Sequence, residues 1–261
     1  MKTFRHLRVF ALPFAILVAI FTASCGAPHG QPRPGDEFLA PNQISDFTTL
    51  FSENCSACHG AEGKGGAAIA LANPVFLAIA DDATIRKIAA QGIPGTAMPA
   101  FAQSAGGMLT DAQLDIITQG IRSRWSKPDA LNSASAPPYV AKSPGDAQRG
   151  ESAYKTFCES CHGPGGHGAQ KGSAITGGSF LALINDQSLR TIVIAGRPEI
   201  AMPDWRNNVP GKPMSDQEVT DVVAWLASKR VQNPGQPYPA ANAASTSNNS
   251  QPQESDGAKR K

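Results

Sequence analysis

Two short segments carry residues that could do chemistry. Residues 53–60 read ENCSACHG and residues 157–163 read FCESCHG, so each holds two cysteines spaced by two residues and followed directly by a histidine. The residues are Cys55, Cys58 and His59 in the first segment, and Cys158, Cys161 and His162 in the second. Such a group suits half a zinc site, a redox-active dithiol, or an attachment site for haem.

The spacing of the two segments favours haem. The cysteine pairs lie 103 residues apart, whereas a four-cysteine zinc site needs both pairs at one metal. A thioredoxin-like dithiol would accompany a βαβ pattern, and the sequence shows none. In C-x-x-C-H, two thiols can reach the two vinyl groups on one porphyrin edge while the next imidazole reaches the iron. The motifs therefore predict two covalently bound haem c groups.

The motifs belong to an internal repeat. FLAIADDATIRKIAAQGIPGTAMPAF matches FLALINDQSLRTIVIAGRPEIAMPDW, and the offset between matching segments stays at 103 to 105 residues. We call residues 41–128 module one and residues 144–232 module two. Each module is small for a self-sufficient hydrophobic core, and a bound haem would supply the missing apolar mass.

A second haem ligand is predicted by the repeated Met-Pro dipeptide. Met98 lies 39 residues after His59, and Met202 lies 40 residues after His162. A lone methionine is usually a packing residue, but here both modules carry Met-Pro at equivalent positions. The following proline stiffens the chain, so each sulfur could approach the haem face opposite the histidine.

Helical patterns account for the remainder of each module. We predict three helices per module, at about 45–57, 82–91 and from 110 in module one, and at about 146–160, 186–195 and from 215 in module two. Gly92 and Gly196 follow the second helices, where glycine readily adopts a positive φ. Thr110 with Gln113, and Ser215 with Glu218, predict capping boxes. No segment alternates like a strand, so the fold class is all-α.

These residues match a known family. Each module resembles a class I cytochrome c domain, and the whole is similar to a tandem dihaem cytochrome c. The resemblance implies that Cys55 and Cys58 bind the first haem covalently, with His59 and Met98 as axial ligands. It implies the same roles at the second haem for Cys158, Cys161, His162 and Met202.

The resemblance also predicts how the helices cross. The family often packs its first helix on its last through a small residue and an aromatic residue four positions later. Gly150 and Tyr154 fit this pattern, with Trp225 as partner. In module one, Phe47 stands at the glycine position and Gly120 replaces the tryptophan, so we expect an altered crossing.

Two further roles follow from the resemblance. A proline carbonyl often holds the haem-binding histidine, which predicts Pro74 in module one, whereas Gly178 aligns there in module two. Trp205 would donate its indole N–H to a haem propionate or cover the ring, and Phe101 aligns with it. Such differences predict two unequal reduction potentials.

The N-terminus reads as an export signal. Lys2, Arg5 and Arg8 precede an apolar run of 13 residues, which is short for a membrane span of about 20. The segment before Cys25 resembles a bacterial lipoprotein cleavage site, which predicts a signal peptide at residues 1–24 and a lipid on Cys25. An uncleaved anchor and a soluble secreted protein are the alternatives. We expect the protein at the periplasmic or extracytoplasmic face of a bacterial membrane.

The remaining segments are linkers and a tail. We predict a tether at residues 25–40, a linker at 129–143 and a disordered tail at 233–261. Without residues 1–24 the chain carries 20 basic and 21 acidic side chains, so no basic field for nucleic acid is present.

Electron transfer is the function these features favour. An iron closed by histidine and methionine leaves no position for substrate, so we expect an electron carrier rather than an enzyme. Partners would be a quinol-oxidising complex, a dehydrogenase, a terminal oxidase or another cytochrome. The alternatives are a dihaem enzyme, such as a peroxidase or a thiosulfate-oxidising cytochrome, and a permanent subunit of a dehydrogenase or oxidase complex.

Overall fold

The computed structural model describes residues 38–231. The chain divides into two compact units, residues 1–43 and residues 44–261. In the first unit, the described part contains a short 3₁₀ helix at Pro41–Gln43. Cys25, the predicted signal peptide and the predicted tail lie outside the described residues.

Apart from residues 41–43, the repeat lies in the second unit, and its regular elements are helices joined by loops. Residues 38–231 contain ten α-helices, five in each module, and no β-strand, as predicted for an all-α fold. Module one contains α1 (Phe47–Asn54), α2 (Ser56–His59), α3 (Pro74–Ile79), α4 (Asp82–Gln91) and α5 (Asp111–Trp125). Module two contains α6 (Ala147–Phe157), α7 (Glu159–His162), α8 (Gly178–Ala182), α9 (Asp186–Ala195) and α10 (Asp216–Ser228).

The prediction of three helices per module was wrong at two places. The first helix does not run through the cysteine motif, because Cys55 and Cys158 interrupt it with φ near −120° and leave α2 and α7 as separate turns. The helices α3 and α8 were not predicted either. The Asn73 side chain caps the N-terminus of α3 by accepting hydrogen bonds from the Val75 and Phe76 amides. This cap stabilises a helix of only six residues.

The second and third helices were predicted correctly. Both α4 and α9 have the expected bounds, and Gly92 and Gly196 end them with a φ of +66°. A Cβ on Gly92 would lie 2.6 Å from the Pro99 carbonyl carbon, and one on Gly196 would lie 2.6 Å from that of Pro203. These glycines therefore let each Met-Pro segment fold back against a helix end. The two capping boxes are also present.

In module two, the first and last helices approach backbone to backbone. A Cβ on Gly150 would lie 2.0 Å from the Asp221 carbonyl oxygen, so α6 and α10 can meet only through glycine. One turn further, the rings of Tyr154 and Trp225 stack with centroids 4.2 Å apart. The predicted crossing in module two is thus confirmed.

In module one, an aromatic ring fills the space between the first and last helices. A Cβ on Gly120 would lie 1.9 Å from Cδ2 of Phe47, so this ring packs directly on the glycine of α5. Phe47 stacks on Phe51 at 5.5 Å, and Trp125 packs edge-on against both rings. The expected altered crossing is confirmed, with large and small residues exchanged between the two helices.

The two modules pack against each other through α3 and α9. Within residues 38–231, no helix has both the length and the apolar character needed to cross a bilayer.

Candidate functional site

Each cysteine motif forms one tight turn. The Cys58 and His59 amides both donate to the Cys55 carbonyl, at 3.3 and 3.0 Å. The matching bonds to the Cys158 carbonyl measure 3.1 and 2.9 Å. All four cysteines are free thiols. The structure thus brings the two thiols and the imidazole of each motif together on a single turn.

A backbone carbonyl orients each histidine ring. His59 Nδ1 lies 2.8 Å from the Ile69 oxygen, and His162 Nδ1 lies 2.8 Å from the Ser173 oxygen. Since a carbonyl only accepts, Nδ1 carries the proton and Nε2 keeps its lone pair for a metal. This is the arrangement that an axial imidazole ligand requires.

The expectation that Pro74 would supply the carbonyl for His59 was wrong, and Gly178, which aligns with Pro74, does not supply it for His162. Pro74 is the first residue of α3, and Gly178 is the first residue of α8. The accepting residues lie earlier, 10 and 11 positions after the histidines. Residue type could not reveal them, because every residue carries a carbonyl group.

The loop after each motif wraps around the turn. The Gly65 amide donates to the His59 carbonyl and the Gly168 amide donates to the His162 carbonyl, both at 2.8 Å. A Cβ on Gly172 would lie 2.8 Å from the Cys161 oxygen and 3.0 Å from His162 Nδ1. The chain therefore lies directly against the histidine at this point.

Burial sets the protonation of the site in module one. Burial raises the pKa of the Cys55 thiol to about 11, and the neighbouring Cys58 adds to the rise. Burial lowers the pKa of His59, against a smaller opposing effect of its bond to Ile69. His59 is therefore neutral at neutral pH, with Nε2 free to bind iron.

In module two, the first cysteine is half-buried, like Cys55 in module one. Burial raises the pKa of the Cys158 thiol to about 12, with a further contribution from Cys161. His162 is less buried than His59, whose exposed fraction is 8%. The two sites therefore share their backbone geometry and differ in access to water.

The methionines lie on separate loops, between α4 and α5 and between α9 and α10. The Met98 carbonyl accepts from the Ile93 amide at 3.0 Å, and the Met202 carbonyl accepts from the Arg197 amide at 2.9 Å. Both side chains are half-buried. The loops are thus fixed at equivalent places, and ligation by these sulfurs stays a prediction.

Trp205 lies in the same region of module two. Its side chain is 2% exposed, its amide donates to the Ile194 carbonyl, and the Arg206 guanidinium lies 4.8 Å from its ring centroid. Phe101, the aligned residue, is half-buried. The predicted role of Trp205 at a haem edge stays a prediction.

The donor set fits covalent haem. Each turn offers two unpaired thiols and an imidazole whose Nδ1 is already engaged. Among residues 38–231, no three His, Cys, Asp or Glu side chains converge as an all-protein zinc site would need. The duplicated turn, its loop and the all-α modules together define a tandem cytochrome c.

The family model described as cytochrome c oxidase, cbb3-type, subunit III matches residues 42–119 and 145–226, one match in each module. The chain belongs to this family. Covalently bound haem c follows from that membership.

Curated relatives are subunits of respiratory complexes. The cbb3-type cytochrome c oxidase subunit CcoP of Azospirillum sp. (strain B510) is 35% identical over 145 residues, which cover 51% of this chain and 44% of that protein. The cytochrome bc1 complex cytochrome c subunit of Mycobacterium bovis is 24% identical over 181 residues, which cover 68% and 60%. The matched region thus spans about half the length of these relatives.

A solved structure gives a weaker likeness. One chain of the reducing HAO-like protein complex of Kuenenia stuttgartiensis covers 75% of this chain and is itself covered completely, at 18% identity and a TM-score of 0.39.

Proposed function

We propose that this chain transfers electrons between redox partners at a membrane through two covalently bound haem c groups. The observation that carries the proposal is the duplicated site. In both modules a C-x-x-C-H turn holds two free thiols, and a loop carbonyl fixes the histidine at 2.8 Å. The family and the relatives, which are cytochrome subunits, support electron transfer as the task.

Eight residues would hold the two groups. The four cysteines would form the thioether bonds, and the histidines and methionines would ligate the two irons: Cys55, Cys58, His59 and Met98 in module one, and Cys158, Cys161, His162 and Met202 in module two. When bound, haem supplies an iron that changes by one electron. A loop carbonyl orients each imidazole, and the proline after each methionine stiffens its loop, which would keep reorganisation small.

The two sites should differ in reduction potential. His59 is 8% exposed and His162 is more open, and exposure to water is one determinant of haem potential. The Tyr154 hydroxyl donates to the carbonyl of Gly163, the residue after His162, at 2.5 Å. Phe51, its counterpart in module one, has no hydroxyl. A titration with two indistinguishable haems would count against this part of the proposal.

A permanent place in a respiratory complex is the form of partnership that the relatives favour. Their printed names assign them to a cbb3-type oxidase and to a bc1 complex. We therefore propose a terminal oxidase or a quinol-oxidising complex as partner, with Cys25 as a lipid anchor and the haem modules on the periplasmic side. Copurification of an oxidase or bc1-type complex after mild detergent extraction would support a fixed subunit, and its absence would support a mobile carrier.

The test is a haem count and a near-infrared spectrum of protein matured with haem-attachment machinery. We expect two haems per chain and a band typical of ferric iron bound by methionine sulfur. Met98→Ala and Met202→Ala should each remove about half of this band, and Met108→Ala, at a side chain that is 76% exposed, should remove none. A high-spin haem in the unmodified protein, or rapid cyanide binding, would instead support a dihaem enzyme.

A further inference from the structure

The two modules differ at positions where they face each other. Asn73 stands where module two has Gly177, and Arg197 stands where module one has Ile93. Each of these side chains forms hydrogen bonds to the other module. The departures from the repeat therefore mark the interface between the modules.

Asn73 joins the start of α3 to the end of α9. Its side chain is 3% exposed, and its Oδ1 accepts from the Val75 and Phe76 amides. Its Nδ2 donates to the carbonyls of Ala195 and Gly196, at 3.0 and 3.3 Å. The buried carboxamide of Asn73 therefore binds module one through its oxygen and module two through its nitrogen.

Arg197 connects the loop that contains Met202 to the loop that follows His59. Through its backbone it pairs with Met202, because its amide donates to the Met202 carbonyl at 2.9 Å and its carbonyl accepts from the Met202 amide at 3.0 Å. Through its side chain it reaches module one, where Nη2 donates to the Gly66 carbonyl at 2.9 Å. Its Nε donates to Glu199 at 2.8 Å, and both side chains are only 20% exposed.

The segment that accepts this bond also holds His59. Two residues after Gly66, the Ala68 amide donates to the Cys58 carbonyl at 3.0 Å. The next residue, Ile69, provides the carbonyl for His59 Nδ1. A Cβ on Gly65 would lie 2.8 Å from Glu199 Oε1, so this loop lies tightly against the Arg197–Glu199 pair.

One backbone bond of the Met202 loop does not depend on the Arg197 side chain. In module one, the Ile93 amide bonds the Met98 carbonyl at 3.0 Å, although isoleucine has no side-chain donor. One of the two backbone bonds of the methionine loop therefore forms with either residue, whereas the Met98 amide donates to Thr96 Oγ1 at 3.2 Å and not to the Ile93 carbonyl. What the guanidinium adds in module two is the bond to the other module.

We propose that Arg197 is a positioning residue for both haem sites, coupling the Met202 loop of module two to the His59 loop of module one. The proposal rests on the proposed function, since both sites must hold haem. Hydrogen bonds around an axial histidine tune a haem's potential, so a change at Arg197 reaches the haem of the other module. Lysine keeps the charge but loses the planar donor fork that serves a carbonyl and a carboxylate together.

The experiment uses the full chain with both haems and three variants. Arg197→Ile installs the residue found at this position in module one, and Arg197→Lys is the conservative variant. Arg206→Ala is the matched control, because Arg206 also follows the end of α9 but its guanidinium pairs with Asp204 inside module two. Haem per chain and the thermal unfolding midpoint are measured first.

The deciding readout is the set of hyperfine-shifted proton resonances of each ferric haem, assigned with Met98→Ala and Met202→Ala, and the midpoint potential of each haem. We expect Arg197→Ile to shift the resonances of both haems. We also expect a roughly threefold change in the equilibrium constant for electron sharing between them, or about 28 mV for one electron. Arg197→Lys should give a smaller change of the same sign, and Arg206→Ala should leave the first haem unchanged.

The outcomes separate the two proposals. Two haems per chain with an unchanged first haem in Arg197→Ile would overturn the coupling and leave the proposed function standing. Fewer than two haems in the unmodified protein would overturn the proposed function itself. If Arg197→Ile folds poorly, the lysine variant decides, because an unaltered first haem in that variant also contradicts the coupling.

Discussion

Module one and module two bring their first and last helices together with opposite arrangements of large and small residues. In module two the glycine is on the first helix, and the backbone of α10 lies directly on Gly150. In module one the glycine is on the last helix, and the ring of Phe47 lies on Gly120. Both solutions fill the gap, one with backbone and one with a side chain.

Because a side chain fills the helix crossing in module one and backbone fills it in module two, we expect the two crossings to differ in which substitutions they tolerate. A side chain such as Phe47 can be removed or moved, whereas the Asp221 carbonyl is fixed in the hydrogen-bonded backbone of α10. Module two also adds polar bonds at its crossing, since Asp221 accepts both Arg149 Nε and Nη2 at 2.8 and 2.9 Å. Module one has Ile116 at the aligned position.

Phe47→Ala should have the largest effect. The ring is 8% exposed, packs on Gly120 and carries the Arg124 guanidinium 4.5 Å from its centroid, so its loss leaves a cavity in the crossing. We expect a loss of about 4 kcal/mol in the free energy of unfolding, measured by urea denaturation. Phe180→Ala, at a ring that is 39% exposed, is the control. A loss below about 1 kcal/mol would show that Phe47 does not support the crossing.

Gly150→Ala should have the next largest effect. We expect it to lower the free energy of unfolding by about 3 kcal/mol, in the upper part of the range for overpacking. The new methyl group would lie 2.0 Å from the Asp221 oxygen and 2.6 Å from its carbonyl carbon, and neither can rotate away. Gly177→Ala is a suitable control, since no heavy atom lies within 4 Å of a Cβ there. Equal urea midpoints for the two variants would contradict close backbone packing in module two.

Asp221→Asn should lower the free energy of unfolding by about 2 kcal/mol at neutral pH, as expected for the loss of hydrogen bonds to a charged group. Burial alone would raise the pKa of Asp221, but bonds from Arg149, the Asp146 amide and Gln217 outweigh it and hold the pKa below its ordinary 3.8.

The stabilisation from Asp221 is therefore present above pH 3.8 and is lost as the pH falls through the lower, folded-state pKa. Urea denaturation at a series of pH values should show the wild type and Asp221→Asn converging in strong acid. Asp115→Asn is the control, since its ion pair with Arg86 is exposed and worth little. A constant difference across this pH range would contradict the assignment.

Gly120→Ala should have the smallest effect and should depend on Phe47. In the natural protein we expect a cost of about 1 kcal/mol, because the ring must move away from the new methyl group. In the Phe47→Ala background the substitution should be neutral or favourable, since alanine is a better helix former than glycine by about 1 kcal/mol. Additive effects would mean that the ring and the glycine are not in contact.

Local patterns allowed much of the fold to be predicted. The ends of α4 and α9 were predicted because a positive-φ glycine stops each helix, and the starts of α5 and α10 because a capping box is a short-range motif. The break in the first helix was missed because nothing in the residue types around Cys55 and Cys158 disfavours a helix. The short helices α3 and α8 fall below the length at which periodicity is visible.

Contacts distant in sequence were harder to predict. The acceptor of the His59 ring is a carbonyl, which no residue type marks, and the resemblance to the family suggested Pro74 instead. The exchange of large and small residues in module one is visible in the sequence as a departure from the family pattern. The packing of the Phe47 ring on Gly120, which compensates for it, is visible only in the structure. The interface bonds of Asn73 and Arg197 span more than 120 residues, yet both residues depart from the repeat, and that departure was a usable indication.

The asymmetry of the interface limits how far this architecture can grow. Module one presents Asn73 to the end of α9, and a third module stacked on module two in the same way would meet Gly177, which has no amide side chain to bond its helix end. On the opposite side, a module placed before module one would meet Ile93 in place of Arg197. A further copy packed in the same way could therefore not repeat these two side-chain contacts, so the interface as it stands is specific to this pair of modules and is not the repeating contact of an array.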